Sequence, residues 1–152
     1  MKAKAAAASR TAADLPAGLD EALAGQWAAA CSCAVGAKDG LAAFLRLHLD
    51  FLAAEPGTGE ILYGGPPDDE TGSFDTAVRE TLKPTLAALA AAIERGKSEK
   101  AFRSDIDPEM AAVHFLGIMQ MSFVYWMIGD GQGSLQGLGE QLLGQFLASI
   151  SA

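Results

Sequence analysis

Residues 101–131 read AFRSDIDPEMAAVHFLGIMQMSFVYWMIGDG, and the part from 110 to 127 contains no Asp, Glu, Lys or Arg. The start of this apolar run is written into SDIDPE. Asp107 can cap a helix, Pro108 has its φ preset for the first helical position, and Glu109 suits the positive end of the helix dipole. The helix is expected to end near Gly129, with GDGQG as the turn after it. About 20 apolar residues can span a bilayer, so the length alone admits a membrane segment. The surroundings argue against one: His114, Gln120 and Ser122 interrupt the run, Asp105, Asp107 and Glu109 flank it, and neither end carries a basic excess. No membrane partner is expected. A helix apolar on all sides must then be covered by protein on all sides.

The helical wheel divides this segment into two faces. Val113, Gly117, Gln120 and Val124 form a narrow face of small residues. Roughly opposite lie the bulky Phe115, Met119, Phe123 and Trp126, with Ser122. The final helix, expected from Ser134 to about Ile150, is split in the same way. Leu135, Leu138, Leu142, Phe146 and Ile150 make its apolar arc, while Gly137, Gln141, Gly144 and Ala148 line the other side. A glycine inside a helix costs roughly 1 kcal/mol relative to alanine, so two of them seven residues apart suggest another backbone close by. One domain of this length has too few helices to cover both sides of both segments. A second copy, contributing the same two helices across a two-fold axis, completes a four-helix seam. The expected assembly is a homodimer.

Working back from residue 101, the spacing Phe74, Val78, Leu82, Leu86, Leu89, Ile93 predicts a long helix to about Gly96, with a kink at Pro84, which lacks the N–H for one backbone bond. The polar PPDDETGS before it reads as a loop, and GTGEILYGG as at most a short helix. Further upstream, GLAAFLRLHLDFLAAE predicts a helix capped by Asp39 and stopped by Pro56 and Gly57. Its apolar arc is Leu41, Phe44, Leu45, Phe51 and Leu52, with His48 in the middle. Leu19, Leu23, Trp27 and Cys31, four apart, mark the first helix, which Gly36 ends at about Val35. No strand pattern or internal repeat occurs.

The composition agrees with helices. Half of the 152 residues are hydrophobic, aromatics are few, and Ala and Leu, good helix formers, dominate. The formal net charge is −8. Three of the 11 basic residues, Lys2, Lys4 and Arg10, lie in the first ten, which hold no acid. The rest carries 8 basic against 19 acidic residues, a net of −11. Such a body repels phosphate, so no direct nucleic-acid binding is expected of this chain alone. The one basic cluster, Arg95, Lys97, Lys100 and Arg103, falls where a helix should end and complements its dipole. Cys31 and Cys33 point apart on a helix, which disfavours a mutual disulfide, and they read as small apolar filler. MKAKAAAASRTAA has no leucine-rich core of a signal peptide. Residues 1–14 are therefore expected to be a disordered Ala-rich tail of a cytoplasmic protein, and residues 15–152 a single domain.

LRLHLDFLAAEPGTGEILYG (45–64) and ETLKPTLAALAAAIERGKSEKAFRSDIDPEMAAVHFLGIMQ (80–120), with the order and lengths of the helices, resemble the C-terminal region of the tetracycline-repressor-like (TetR/AcrR) transcriptional regulators. The resemblance covers roughly residues 19 to 150. It implies an all-α, antiparallel bundle of five to six helices, the last two forming a dimer four-helix bundle and the others enclosing a pocket for a small, often hydrophobic, inducer. Members of that family begin with a three-helix DNA-binding unit containing a helix-turn-helix. MKAKAAAASRTAADLP stands in its place and is too short to form one, so DNA binding is not carried over.

The expected pocket lies between the helices that start near Leu19, Leu41, Phe74 and Asp107. Trp27, Leu45, His48 and Leu52 are its expected lining from the first two helices, and Leu86, Met119, Ser122 and Trp126 from the last two. Such a site suits an uncharged or weakly acidic hydrophobic molecule, oriented by His48 or Ser122. A histidine so placed is more often a satisfied core residue than a ligand contact, and Trp126, Met119 and Phe115 are core by default. His114 falls between the two faces of its helix. No motif joins Ser122, His48 and a carboxylate, and no phosphate-binding loop, HExxH pattern or metal-ligand spacing occurs. No enzyme, cofactor or metal is expected. The reading is a small-molecule-sensing, dimerising domain of a regulator; the alternative is a helical interaction protein without ligand that heterodimerises with full-length regulators.

Overall fold

The computed structural model describes residues 18–63 and 73–152. The expected tail over residues 1–14 and most of the expected loop at 66–73 lie outside the described residues. Six helices follow in order: α1 (Leu19–Cys33), α2 (Ala37–Ala54), α3 (Pro56–Tyr63), α4 (Ser73–Ser98), α5 (Pro108–Ile128) and α6 (Leu135–Ile150). No strand occurs among the described residues, only an isolated bridge between Phe102 and Ser151. The fold is all-α, as the residue patterns require.

The organising element is α2, which packs against all five other helices. Its buried positions Leu41, Phe44, Leu45, His48, Leu49 and Leu52 are each at most 1% exposed. Burying one Leu or Phe side chain stabilises a fold by about 1.5–3 kcal/mol, and this single helix supplies five of them. Close approach is secured by small residues on its neighbours. A Cβ on Gly139 of α6 would run into the side chain of Leu49, and one on Gly59 of α3 into the ring of Phe123 on α5.

The helix starts are set in different ways. Asp107 accepts from the backbone N–H groups of Glu109 (2.9 Å) and Met110 (3.0 Å), with Pro108 first in α5, as its sequence predicts. Ser134 caps α6 by accepting from the N–H of Gly137 at 2.9 Å. The start of α2 corrects the expectation of an Asp39 cap: Gly36 is the cap residue and Asp39 sits in the first turn. With no capping side chain at Gly36, the N–H of Ala37 donates instead to the carboxylate of Glu99 at 3.1 Å. Pro56 likewise opens α3 rather than merely stopping α2; the first helical position tolerates a missing N–H. Arg95 and Lys97 do lie in the last turn of α4, and Lys97 donates to the carbonyl of Ile106 at 2.9 Å across the turn. Pro84 lies inside α4. The C-terminus is pinned where Arg103 donates its backbone N–H to Ile150 (2.9 Å) and Phe102 is buried.

α5 is long and apolar enough to cross a bilayer by length and composition alone, with a mean hydropathy of 1.4. Its bulky face is buried in the fold: Phe115, Met119, Ser122 and Phe123 are at most 2% exposed. α5 packs on α2, α3, α4 and α6. The expectation of protein on every side is not met within one chain, because Met110, Val113, Met121, Tyr125 and Ile128 are all more than half exposed.

Candidate functional site

The centre of the bundle is polar at one point. His48 projects from the apolar arc of α2 and is fully buried. Its Nδ1 lies 3.2 Å from Oε1 of Gln26 on α1, and its Nε2 lies 2.9 Å from the hydroxyl of Tyr63 on α3. A carboxamide oxygen only accepts, so Nδ1–H donates to Gln26 and Nε2 accepts from Tyr63. Burial lowers the His48 pKa to about 4 and raises that of the Tyr63 phenol. Both groups are neutral at pH 7, and the three side chains tie α1, α2 and α3 together.

Aromatic rings continue the chain of contacts in both directions. Trp27 meets Phe44 edge-on at 5.2 Å, and Phe44 leads to His48 at 6.2 Å. On the other side Tyr63 meets Phe123 at 6.3 Å and Phe123 meets Trp126 at 6.1 Å. The two tryptophans thus stand at opposite ends of a ring series and do not face one another across a shared space. Trp126 donates from Nε1 to the carbonyl of Gly133 at 3.3 Å, which holds it against the α5–α6 turn.

The eight expected lining residues therefore divide. Leu45, His48, Leu52, Met119 and Ser122 are sealed in the core, and the Ser122 hydroxyl donates to Ile118 one turn back at 2.7 Å. Leu86 lines a groove between α4 and α5 with Ala90, Ala112 and Val113. Trp27 lines a cavity of about 140 Å³ between α1 and α4, together with Leu23, Ala24, Pro84, Thr85 and Ala88. Asp20 and Thr81 complete its wall. Thr81 and Thr85 were missed because apolar periodicity counts only apolar side chains, although Thr85 shares the inward arc of Leu82 and Leu89; their spacing of four beside Pro84 was the available signal. Gln26 and Tyr63 could not be paired with His48 from spacing, since each lies on a different helix.

The second candidate site is the outer surface of α5 and α6. Val113, Gln120, Gln141, Gly144 and Ala148 are exposed, and Gly117, Val124 and Gly137 are half-buried. A Cβ on Gly117 or Gly144 would meet nothing within 4 Å. On α6 this is the face the wheel describes. On α5 the exposed stripe is wider, taking in Met110, Met121, Tyr125 and Ile128. His114 is on this outer side too, edge-on to Phe146 at 5.1 Å. Among the described residues no three His, Cys, Asp or Glu side chains group as a metal site would require.

No family model matches the chain, and no curated protein matches it. Solved structures do. The fatty acid degradation regulator FadR from Bacillus halodurans superposes with a TM-score of 0.73 at 18% identity, over 85% of this chain and 68% of that one. The transcriptional regulator FadR from Bacillus subtilis, solved in complex with stearoyl-CoA, gives 0.72 at 17% identity, over 87% and 72%. A transcriptional regulator of the TetR/AcrR family from Thermobifida fusca gives 0.65 at 15% identity, over 86% and 67%. The fold is the one these solved transcriptional regulators share, one of them of the TetR/AcrR family. At these identities the likeness is one of fold.

Proposed function

We propose that residues 19–150 are the small-molecule-sensing and dimerisation domain of a TetR-like transcriptional regulator. The observation that carries this reading is the unpartnered α5–α6 surface on a fold shared with such regulators. Large apolar side chains such as Ile128, 75% exposed, and Tyr125, 65% exposed, stand beside glycines that nothing in the chain fills. Water is a poor neighbour for such a stripe, and contiguous exposed apolar patches mark interaction surfaces. A two-fold axis would set α5 and α6 of one copy against the same helices of the next, with Val113, Gly117, Gln120 and Val124 meeting Gly137, Gln141, Gly144 and Ala148. Sensing is supported by the apolar cavity beside Trp27 and by the regulator from Bacillus subtilis, whose structure holds an acyl-CoA.

The reading also holds that this segment does not itself read DNA, given its acidic body, and that it works in the cytoplasm without catalysis. The filled core around His48, in which no sealed polar side-chain atom lacks a partner, favours a second reading: an interaction protein that needs no ligand and pairs with full-length regulators. Light scattering at micromolar concentration tests the first part of the proposal, and a stable monomer would overturn it. A thermal-shift screen against small apolar compounds separates the readings. A rise in melting temperature that follows ligand concentration supports sensing.

A further inference from the structure

The cavity between α1 and α4 has a polar feature that core packing does not explain. Thr85 is only 8% exposed, yet its hydroxyl has no hydrogen-bond partner among the described residues. Among the described residues no sealed side-chain oxygen or nitrogen lacks a partner, so this hydroxyl meets the open space that Thr85 lines. Next to it stands Pro84, which lies inside α4 and lines the same space. The remaining wall is Leu23, Ala24, Trp27 and Ala88, and the charged group at the rim is the carboxylate of Asp20. Among the described residues no Lys or Arg lines the space.

We propose that this cavity is the sensing site, and that it takes a compact apolar molecule bearing one uncharged or cationic hydrogen-bonding group and rejects anions. The proposal rests on the sensing reading above and gives it a location and a ligand class. The volume, about 140 Å³, matches a single ring rather than a long chain; cavities of roughly 150 Å³ lined by apolar side chains hold benzene-sized guests. The ring of the guest lies against Trp27 and Pro84. Its polar group donates to the Thr85 hydroxyl or accepts from it. A carboxylate in that position would face Asp20 with no cation among the described lining residues to offset it, whereas an ammonium would be favoured there.

The test uses the full chain with Trp126→Phe, so that fluorescence reports Trp27 alone, titrated with toluene, benzyl alcohol, benzylamine and benzoate. Benzyl alcohol and benzylamine should bind at least tenfold more tightly than benzoate. Thr85→Val should weaken benzyl alcohol about fivefold while leaving toluene unchanged. Ala88→Leu fills the cavity from α4 and should abolish all binding, and Ala24→Leu does so from α1 should the first variant lose cooperative unfolding. Benzoate binding as tightly as the alcohol overturns the proposal, as does a Thr85→Val variant that changes the alcohol and toluene alike. Binding that survives both filling variants moves the site elsewhere and overturns this inference while sensing itself stands. Silence of all four probes on a chain that still dimerises overturns the site and leaves only the dimerisation reading.

Discussion

The hydroxyl of Tyr63 sits 2.9 Å from Nε2 of His48 and donates to it while the imidazole is neutral. Burial holds the His48 pKa at about 4 in the fold, against 6.5 for the free side chain. The unfolded chain therefore binds more protons than the fold between these values, and stability rises with pH across that window. The contribution is fully present above pH 6.5 and is lost progressively as pH falls towards 4. A displacement of this size corresponds to roughly 3 kcal/mol. Urea midpoints measured from pH 7.5 to 4 should fall for the wild type, and the slope should flatten in His48→Leu. Equal slopes in the two proteins would show that His48 is not the group responsible.

The same contact predicts a coupling. His48→Leu strands the buried Tyr63 hydroxyl, and leaving a buried donor without a partner costs about 1–3 kcal/mol. Tyr63→Phe strands Nε2 of His48 in the same way. The double variant removes both orphans, so its loss of stability should be smaller than the sum of the single losses by about 1 kcal/mol or more. Additive losses in chemical denaturation would mean that the pair is not coupled.

Gly59 and Phe123 make a second intimate pair, since a Cβ on Gly59 would occupy the space of the Phe123 ring. Gly59→Ala gains helix propensity but overpacks the α3–α5 contact, which typically costs about 1–3 kcal/mol. The net change should be destabilising, and Phe123→Leu in the same chain should relieve part of it. A melting temperature that rises in Gly59→Ala would show that α3 can slide away from α5.

How much of this was legible in the sequence depended on where each cause lies along the chain. The start of α5 was readable because Asp107, Pro108 and Glu109 are consecutive, and the outward face of α6 because Gly137, Gln141, Gly144 and Ala148 keep one helical period. The start of α2 was not, because the group that receives the Ala37 N–H is Glu99, 62 residues away. α3 was blurred by Pro56, which marks an end and a beginning with the same chemistry. The expected pocket drew on residues that periodicity placed on inward arcs. An inward arc is equally the signature of a filled core, and the structure seals Leu45, Leu52 and Met119 there. What distinguishes Thr85 is the lack of a partner, and no sequence pattern records that.

Gly139 and Gly144 lie in the same helix and should respond in opposite ways to the same substitution. A Cβ on Gly139 would strike Leu49 within the chain, whereas one on Gly144 meets nothing within 4 Å. Gly139→Leu should therefore destabilise the fold itself through overpacking. Gly144→Leu should leave the monomer as stable as before, or more so by up to roughly 1 kcal/mol from helix propensity, and should act only where a second copy approaches. If α6 meets its two-fold mate at this glycine, the added bulk enters twice in each dimer. A penalty of about 1–3 kcal/mol then weakens association by about 5- to 150-fold. Sedimentation velocity across a concentration series reads the dimer constant, and circular dichroism melts read the fold. Gly144→Leu with an unchanged dimer constant would remove this face of α6 from the interface, whatever the surface of α5 does.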